Sequence, residues 1–141
     1  MIRAAIVREP IDVNRLTREV TLDSCGAIAI FLGTVRANND GRAVTGIEYS
    51  SYEEMAHREM TVILGEAMER FGIEAGVIEH RIGELAVGDA SIAVVVAHAH
   101  RGPAMDALRY VIDETKRRAP VWKLEHYTDG TREWVNAGSH K

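Results

Sequence analysis

A single cysteine, three lysines and three prolines among 141 residues set the first limits on this chain. With only Cys25, an intrachain disulfide, a zinc site of four cysteines and a Cys-x-x-Cys redox pair are all excluded. The expectation for Cys25 is a small buried side chain ahead of a strand. Long apolar runs are also missing. The longest, residues 27–32 and 92–97, fall far short of the roughly 20 residues that span a bilayer. The opening segment Met1-Ile2-Arg3-Ala4-Ala5-Ile6-Val7-Arg8 carries no signal-peptide core, so a cytoplasmic protein is expected. Net positive charge is absent as well. A balance of −4 and a pI near 5.9 argue against nucleic acid or an anionic membrane as partner. No repeat, low-complexity run or Pro/Gly/Ser linker divides the chain. Its 46% apolar content suits one globular domain over residues 1–141, with a polar tail at 136–141.

The shortage of lysine is the most pointed of these absences. Fourteen of the seventeen cations are Arg, and two of the three lysines, Lys116 and Lys123, bracket one segment, Lys116-Arg117-Arg118-Ala119-Pro120-Val121-Trp122-Lys123. Arginine holds its proton, whereas a lysine whose pKa is lowered by burial or neighbouring cations can serve as base or nucleophile. Compositional drift towards Arg would produce the same scarcity, and on this count alone the two explanations stand level. The cations of this segment, with Arg36, could form a local pocket for a small anion.

Strand-like runs rich in β-branched residues occupy residues 2–7, 27–32, 44–52, 76–82, 91–98, 121–127 and 133–135, with turns at Asp40-Gly41, Gly88-Asp89 and Asp129-Gly130. Helical spacing appears in residues 53–71, through Met60, Ile63, Leu64, Ala67, Met68 and Phe71. It appears again in residues 103–119, through Ala104, Leu108, Val111 and Ile112. Asp12 is placed to cap a third, shorter helix. Strands with helices packed to one side read as an α+β fold with a mostly antiparallel sheet and two main helices.

The second long helix has both ends marked by proline. Pro103 suits a first turn, and Pro120 forces Ala119 out of the helical region. His100 and Arg101 precede an N-terminus whose free N–H groups favour a phosphate, although Arg101 could equally pair with Asp106. Lys116 lies in the last turn, where the helix dipole alone accounts for a cation. Lys123 follows Trp122 in an alternating strand, where Arg117 or Arg36 nearby would depress its pKa. Arg36 follows Gly33, read as the point where the backbone turns. It opens the polar loop Ala37-Asn38-Asn39-Asp40-Gly41-Arg42, which suits either closure over a ligand or an ordinary hairpin tip. His98 and His100, two apart, could face one way, but no third ligand completes a metal spacing. His57, His126 and His140 read as surface residues.

Phe31-Leu32-Gly33-Thr34-Val35-Arg36, then Glu48 to Ala56, then His80-Arg81-Ile82-Gly83-Glu84-Leu85 with Gly88, then His100-Arg101, then the Lys116 to Lys123 segment occur in that order. Over roughly residues 27–135 the ordered set resembles the molybdopterin synthase large (catalytic) subunit. That resemblance implies an α/β-hammerhead fold and a sulfurtransferase that converts cyclic pyranopterin monophosphate into molybdopterin by installing two dithiolene sulfurs. It also implies a small ubiquitin-like partner carrying sulfur as a C-terminal glycine thiocarboxylate. The large subunit would form a homodimer at the centre of a heterotetramer, with no cofactor or metal of its own. By matching positions, Thr34, Val35, Arg36, His100, Arg101, Lys116, Lys123, Leu124 and Glu125 fall on substrate-binding positions. Arg36, His100 and Arg101 would hold the phosphate, Lys116 and Lys123 would be catalytic, and Phe31 would pack beside the ligand. Leu124 stands where some relatives have a cation, which limits its contact to backbone. A sulfur-transfer enzyme with only Cys25 requires an external donor, in keeping with such a partner. Two other readings stay open: a non-catalytic dimeric scaffold that docks a ubiquitin-like tail, and a transferase for another phosphorylated heterocycle.

Overall fold

The computed structural model describes residues 1–136. Along the chain run β1 (Ile2–Val7), α1 (Val13–Val20), β2 (Ala27–Thr34), β3 (Asn38–Asn39), β4 (Arg42–Ser51) and α2 (Glu53–Phe71). They are followed by β5 (Ala75–Arg81), β6 (Gly83–Ala86), β7 (Ala90–His98), α3 (Arg101–Arg118), β8 (Val121–Tyr127) and β9 (Arg132–Asn136). The fold is α+β and its pairings are mostly antiparallel, but the described residues form two sheets where the sequence suggests one. The first has the order β1-β5-β7-β2; the second has the order β3-β4-β8-β9, with β6 also on β4. The β1–β5 pair is parallel, Ile2 opposite Gly76 through Val7 opposite Arg81. The long connection through α2 permits that crossover, and strand propensity carries no sign of it.

Every residue from Ser91 to Ala97 in β7 is buried, because helices cover both faces of this strand. On one side Val94 and Val96 pack with Met60, Ile63, Leu64, Ala67, Ala107 and Val111 of α2 and α3. On the other, Val77, Ala93 and Val95 meet Leu16 and Val20 of α1. Asp12 caps α1 as expected, its carboxylate accepting from the N–H groups of Asn14 and Arg15 at 3.1 and 3.2 Å. Helix α2 stops at Gly72, whose left-handed φ of 72° suits a residue without Cβ. Helix α3 starts at Arg101, two residues before the expected Pro103, since a proline is tolerated anywhere in a first turn that needs no N–H acceptor. Its end is the expected one. Ala119 is extended (ψ 128°) before Pro120.

Several expectations need correction. Cys25 is half-buried rather than buried, and its thiol donates to Glu74 Oε2 at 3.3 Å. His57 is exposed, but His126 lies in the interior strand β8 with Nε2 enclosed and without a hydrogen-bond partner among the described residues. Asn136, placed in the polar tail, ends β9 opposite Trp122. His140 and the rest of the tail lie outside the described residues. Among the described residues no helix is long and apolar enough to cross a membrane.

Candidate functional site

Where the end of the first sheet meets the inner face of the second, a cavity of about 320 Å³ opens beside the C-terminal turn of α3. That is large enough for a small ligand. Six strands, β2, β3, β4, β5, β7 and β8, and the end of α3 line the cavity. Strand β2 ends at Thr34 with a register shift after Gly33, turning the chain towards Arg36. Gly33 does not make a turn by positive φ, as its place before a polar loop suggested. It lies in the strand, where a Cβ would stand 2.7 Å from Ile92 Cγ2. Val35 is buried and anchors the segment: its N–H donates to Asp89 O at 2.9 Å and its carbonyl accepts from Gly88 N at 2.8 Å. The loop after Arg36 is a short hairpin, Asn38 opposite Ala43 and Asn39 opposite Arg42, not a free segment.

Alternation along β8 decides which of its side chains enter. Lys123 sits opposite Tyr49, and Glu125 opposite Ile47, all four lining the cavity. Trp122 and Leu124 therefore take the other face, where Leu124 pairs with Trp134 and Glu48. Lys123 is only 4% exposed. Burial lowers its pKa to about 8, the neighbouring Glu125 carboxylate opposes the shift, and the Arg36 and Lys116 cations add to it. Burial thus leads, where the sequence suggested like charge from Arg36 or Arg117. Arg117 is instead exposed and paired with Glu114. Glu125 is 1% exposed; its Oε1 accepts from Asn39 Nδ2 at 2.6 Å and lies 3.5 Å from Lys123 Nζ, while Oε2 has no partner among the described residues. Lys116 Nζ lies 5.8 Å from the centre of the Phe31 ring, at the long end of a cation–π contact. Arg36 is exposed at the rim and makes no ion pair among the described residues.

The cavity thus collects Phe31, Thr34, Val35, Arg36, Lys116, Lys123 and Glu125. It does not collect Leu124, or His100 and Arg101. His100 is the N-cap of α3 and Arg101 its first residue, both exposed, and Arg101 does not pair with Asp106. From Arg101 to Lys116 the unbroken helix advances about 22 Å. The His98 and His100 rings stand 6.0 Å apart, with the His100 N–H donating to His98 Nδ1 at 2.9 Å. Among the described residues no three His, Cys, Asp or Glu side chains form a group fit for a metal ion. Sequence reasoning missed Asn39, Tyr49, His80, Ser91 and Thr115, which also line the cavity. The alternation that brings Lys123 inward also assigns Tyr49, its cross-strand partner. His80 begins a quoted motif, but only the sheet packing gives it a position.

The profile of the family described as MoaE protein matches residues 6–118. A molybdopterin synthase catalytic subunit of Pyrococcus abyssi is 44% identical over 140 residues, 98% of this chain and 94% of that protein. Another, of Synechococcus elongatus, is 48% identical over 114 residues, covering 80% of this chain and 69% of the relative. Among solved structures, a molybdopterin synthase from Staphylococcus aureus superposes with a TM-score of 0.88 at 32% identity, covering 93% of this chain and 95% of that one. A complex of subunits 1 and 2 of molybdopterin-converting factor from Helicobacter pylori shares the fold, with a TM-score of 0.79 at 23% identity, over 97% of this chain and 92% of its counterpart. With a family profile over most of its length, close relatives along nearly all of it and the same fold in solved members, the chain belongs to the MoaE protein family.

Proposed function

We propose that this chain is the catalytic subunit of a molybdopterin synthase: a sulfurtransferase that converts cyclic pyranopterin monophosphate into molybdopterin with sulfur from a thiocarboxylated small subunit. The observation that carries this reading is Lys123, an amine buried beside Arg36 and Lys116 in one cavity, with its pKa lowered to about 8. An amine so tuned exchanges a proton near neutral pH, which suits it to general acid–base work. On this reading Arg36 binds the phosphate of the substrate, and Lys116 and Lys123 move protons as sulfur attacks the pterin side chain: the cyclic phosphate opens at one ester bond and stays on the product as a monoester, and water releases the small subunit with a C-terminal carboxylate. Glu125, held by Asn39, keeps the Lys123 amine in place. The small subunit brings its C-terminal glycine thiocarboxylate to the cavity, and the reaction takes place in the cytoplasm.

His100 and Arg101 enter this reading from a second copy of the chain. One helix holds them about 22 Å from Lys116, further than one pterin phosphate bridges, so each site takes them across a two-fold dimer. A scaffold that only docks a tail gains nothing from an amine buried at this cost. The test is incubation with cyclic pyranopterin monophosphate and thiocarboxylated small subunit, followed by pterin analysis. Molybdopterin is expected, and its absence under conditions where the subunits bind each other would sink the assignment.

A further inference from the structure

His80 lies on the wall of the cavity, 7% exposed, and no step of the proposed reaction uses it. Its Nδ1 stands 3.0 Å from the carbonyl oxygen of Arg81. A carbonyl only accepts, so Nδ1 carries the ring proton. Burial also pulls the imidazole pKa down to about 4, which leaves a single ring proton at neutral pH. Nε2 therefore presents a lone pair, and it makes no hydrogen bond among the described residues. The ring is fixed in place. Tyr49 meets it edge-on, with centroids 5.2 Å apart and planes at 69°, and β5 is paired at His80 with both Ile6 and Ile92.

Two buried polar atoms on residues of the same cavity, Glu125 Oε2 and Thr115 Oγ1, have no partner among the described residues. A pure acceptor such as Nε2 selects a donor. A phosphate at neutral pH offers acceptors almost alone, and so it belongs at the cationic rim rather than against this wall.

We infer that His80 is a specificity-determining residue, its Nε2 accepting a hydrogen bond from an N–H of a planar nitrogen heterocycle bound in the cavity. The heterocycle is taken to be the pterin of the proposed substrate, so the inference rests on that reading. The test uses side-chain ¹⁵N spectra of the wild-type protein labelled at histidine, titrated with cyclic pyranopterin monophosphate and separately with inorganic phosphate. The His80 Nε2 signal should begin as an unprotonated acceptor and move with the pterin but not with phosphate. In parallel, His80→Leu should weaken binding of the pterin by about 10- to 100-fold, the scale of leaving a donor unpaired in a buried site. His80→Gln, which offers an amide oxygen near the same point, should recover part of that loss. Binding of the pterin with an unmoved Nε2 signal would overturn the inference and leave the proposed reaction standing. No binding of the pterin at all would overturn the proposed substrate, and this inference with it.

Discussion

On the proposed reading, Lys123 concentrates the chemistry into one side chain. Arginine at this position would keep the charge and lose the titratable amine, since a guanidinium does not release its proton. Lys123→Arg is therefore expected to cut turnover by about 10²- to 10⁴-fold, the usual scale for a lost proton-transfer group, while binding of the small subunit stays near wild type. Lys116→Arg should act in the same direction. Near-normal single-turnover product from both variants would favour the scaffold. The lowered pKa also predicts a pH dependence. If the free amine is the working form, the rate should rise with pH through about 8, and Lys123→Arg should lack that limb. Stability follows the same sign. Between about pH 8 and 10.5 the unfolded chain still holds the proton that native Lys123 has released, so folding should gain with pH across that window. Lys123→Met should lose this gain, as measured by denaturant titration at both limits. Cys25→Ser, by contrast, should leave turnover unchanged. The Cys25 thiol is held protonated by burial and the Glu74 carboxylate, which makes it a poor sulfur nucleophile.

At the scale of elements, helices were legible where local chemistry fixes them. The apolar spacing of residues 53–71 gives α2 with the observed bounds, and Asp12 and Pro120 mark ends that depend on their own side chains. Strand partners were not legible, because pairing is a long-range choice: neither β1 nor β5 carries a local mark of lying parallel to the other, and β3 and β6 are too short to show a period. Gly46 shows what such a long-range contact demands. It sits where β4 is paired on one edge with β6 and on the other with β8, and a Cβ there would stand 2.9 Å from the Leu85 carbonyl oxygen. Since that atom is backbone, the strands would have to part. Gly46→Ala should therefore cost about 1–3 kcal/mol, the usual penalty of overpacking. Gly65, in the middle of α2, has nothing within 4 Å of a Cβ. Gly65→Ala should instead stabilise by up to about 1 kcal/mol through helix propensity. Thermal unfolding of the two variants should shift in opposite directions, and a stable Gly46→Ala protein would show that β6 has slack on β4.

For the molecule as a whole, the sequence named seven of the residues that line the cavity and missed those that only the packing of distant elements brings there. Lysine scarcity and strand alternation point to Lys123 and the family resemblance adds Glu125, whereas His80 and Thr115 join only because two sheets and a helix end converge. The motif His100-Arg101 is the opposite case, conspicuous in the sequence yet remote from the cavity in the fold. Helix α3 is unbroken from Arg101 to Arg118, which removes a bend as a way of bringing its two ends to one ligand. If His100 and Arg101 serve the substrate, they serve the cavity of another copy, and a two-fold dimer then holds two composite sites. Inactive variants damaged at opposite ends should consequently repair each other. Arg101→Ala and Lys123→Ala, each inactive alone, should regain part of the activity when mixed under conditions of subunit exchange, because the heterodimer contains one site with both residues intact. Native mass spectrometry would establish that the heterodimer has formed. Activity that stays at the level of the separate variants despite exchange would confine the site to one chain, and would leave Arg101 as an exposed residue at a helix start without a part in the reaction.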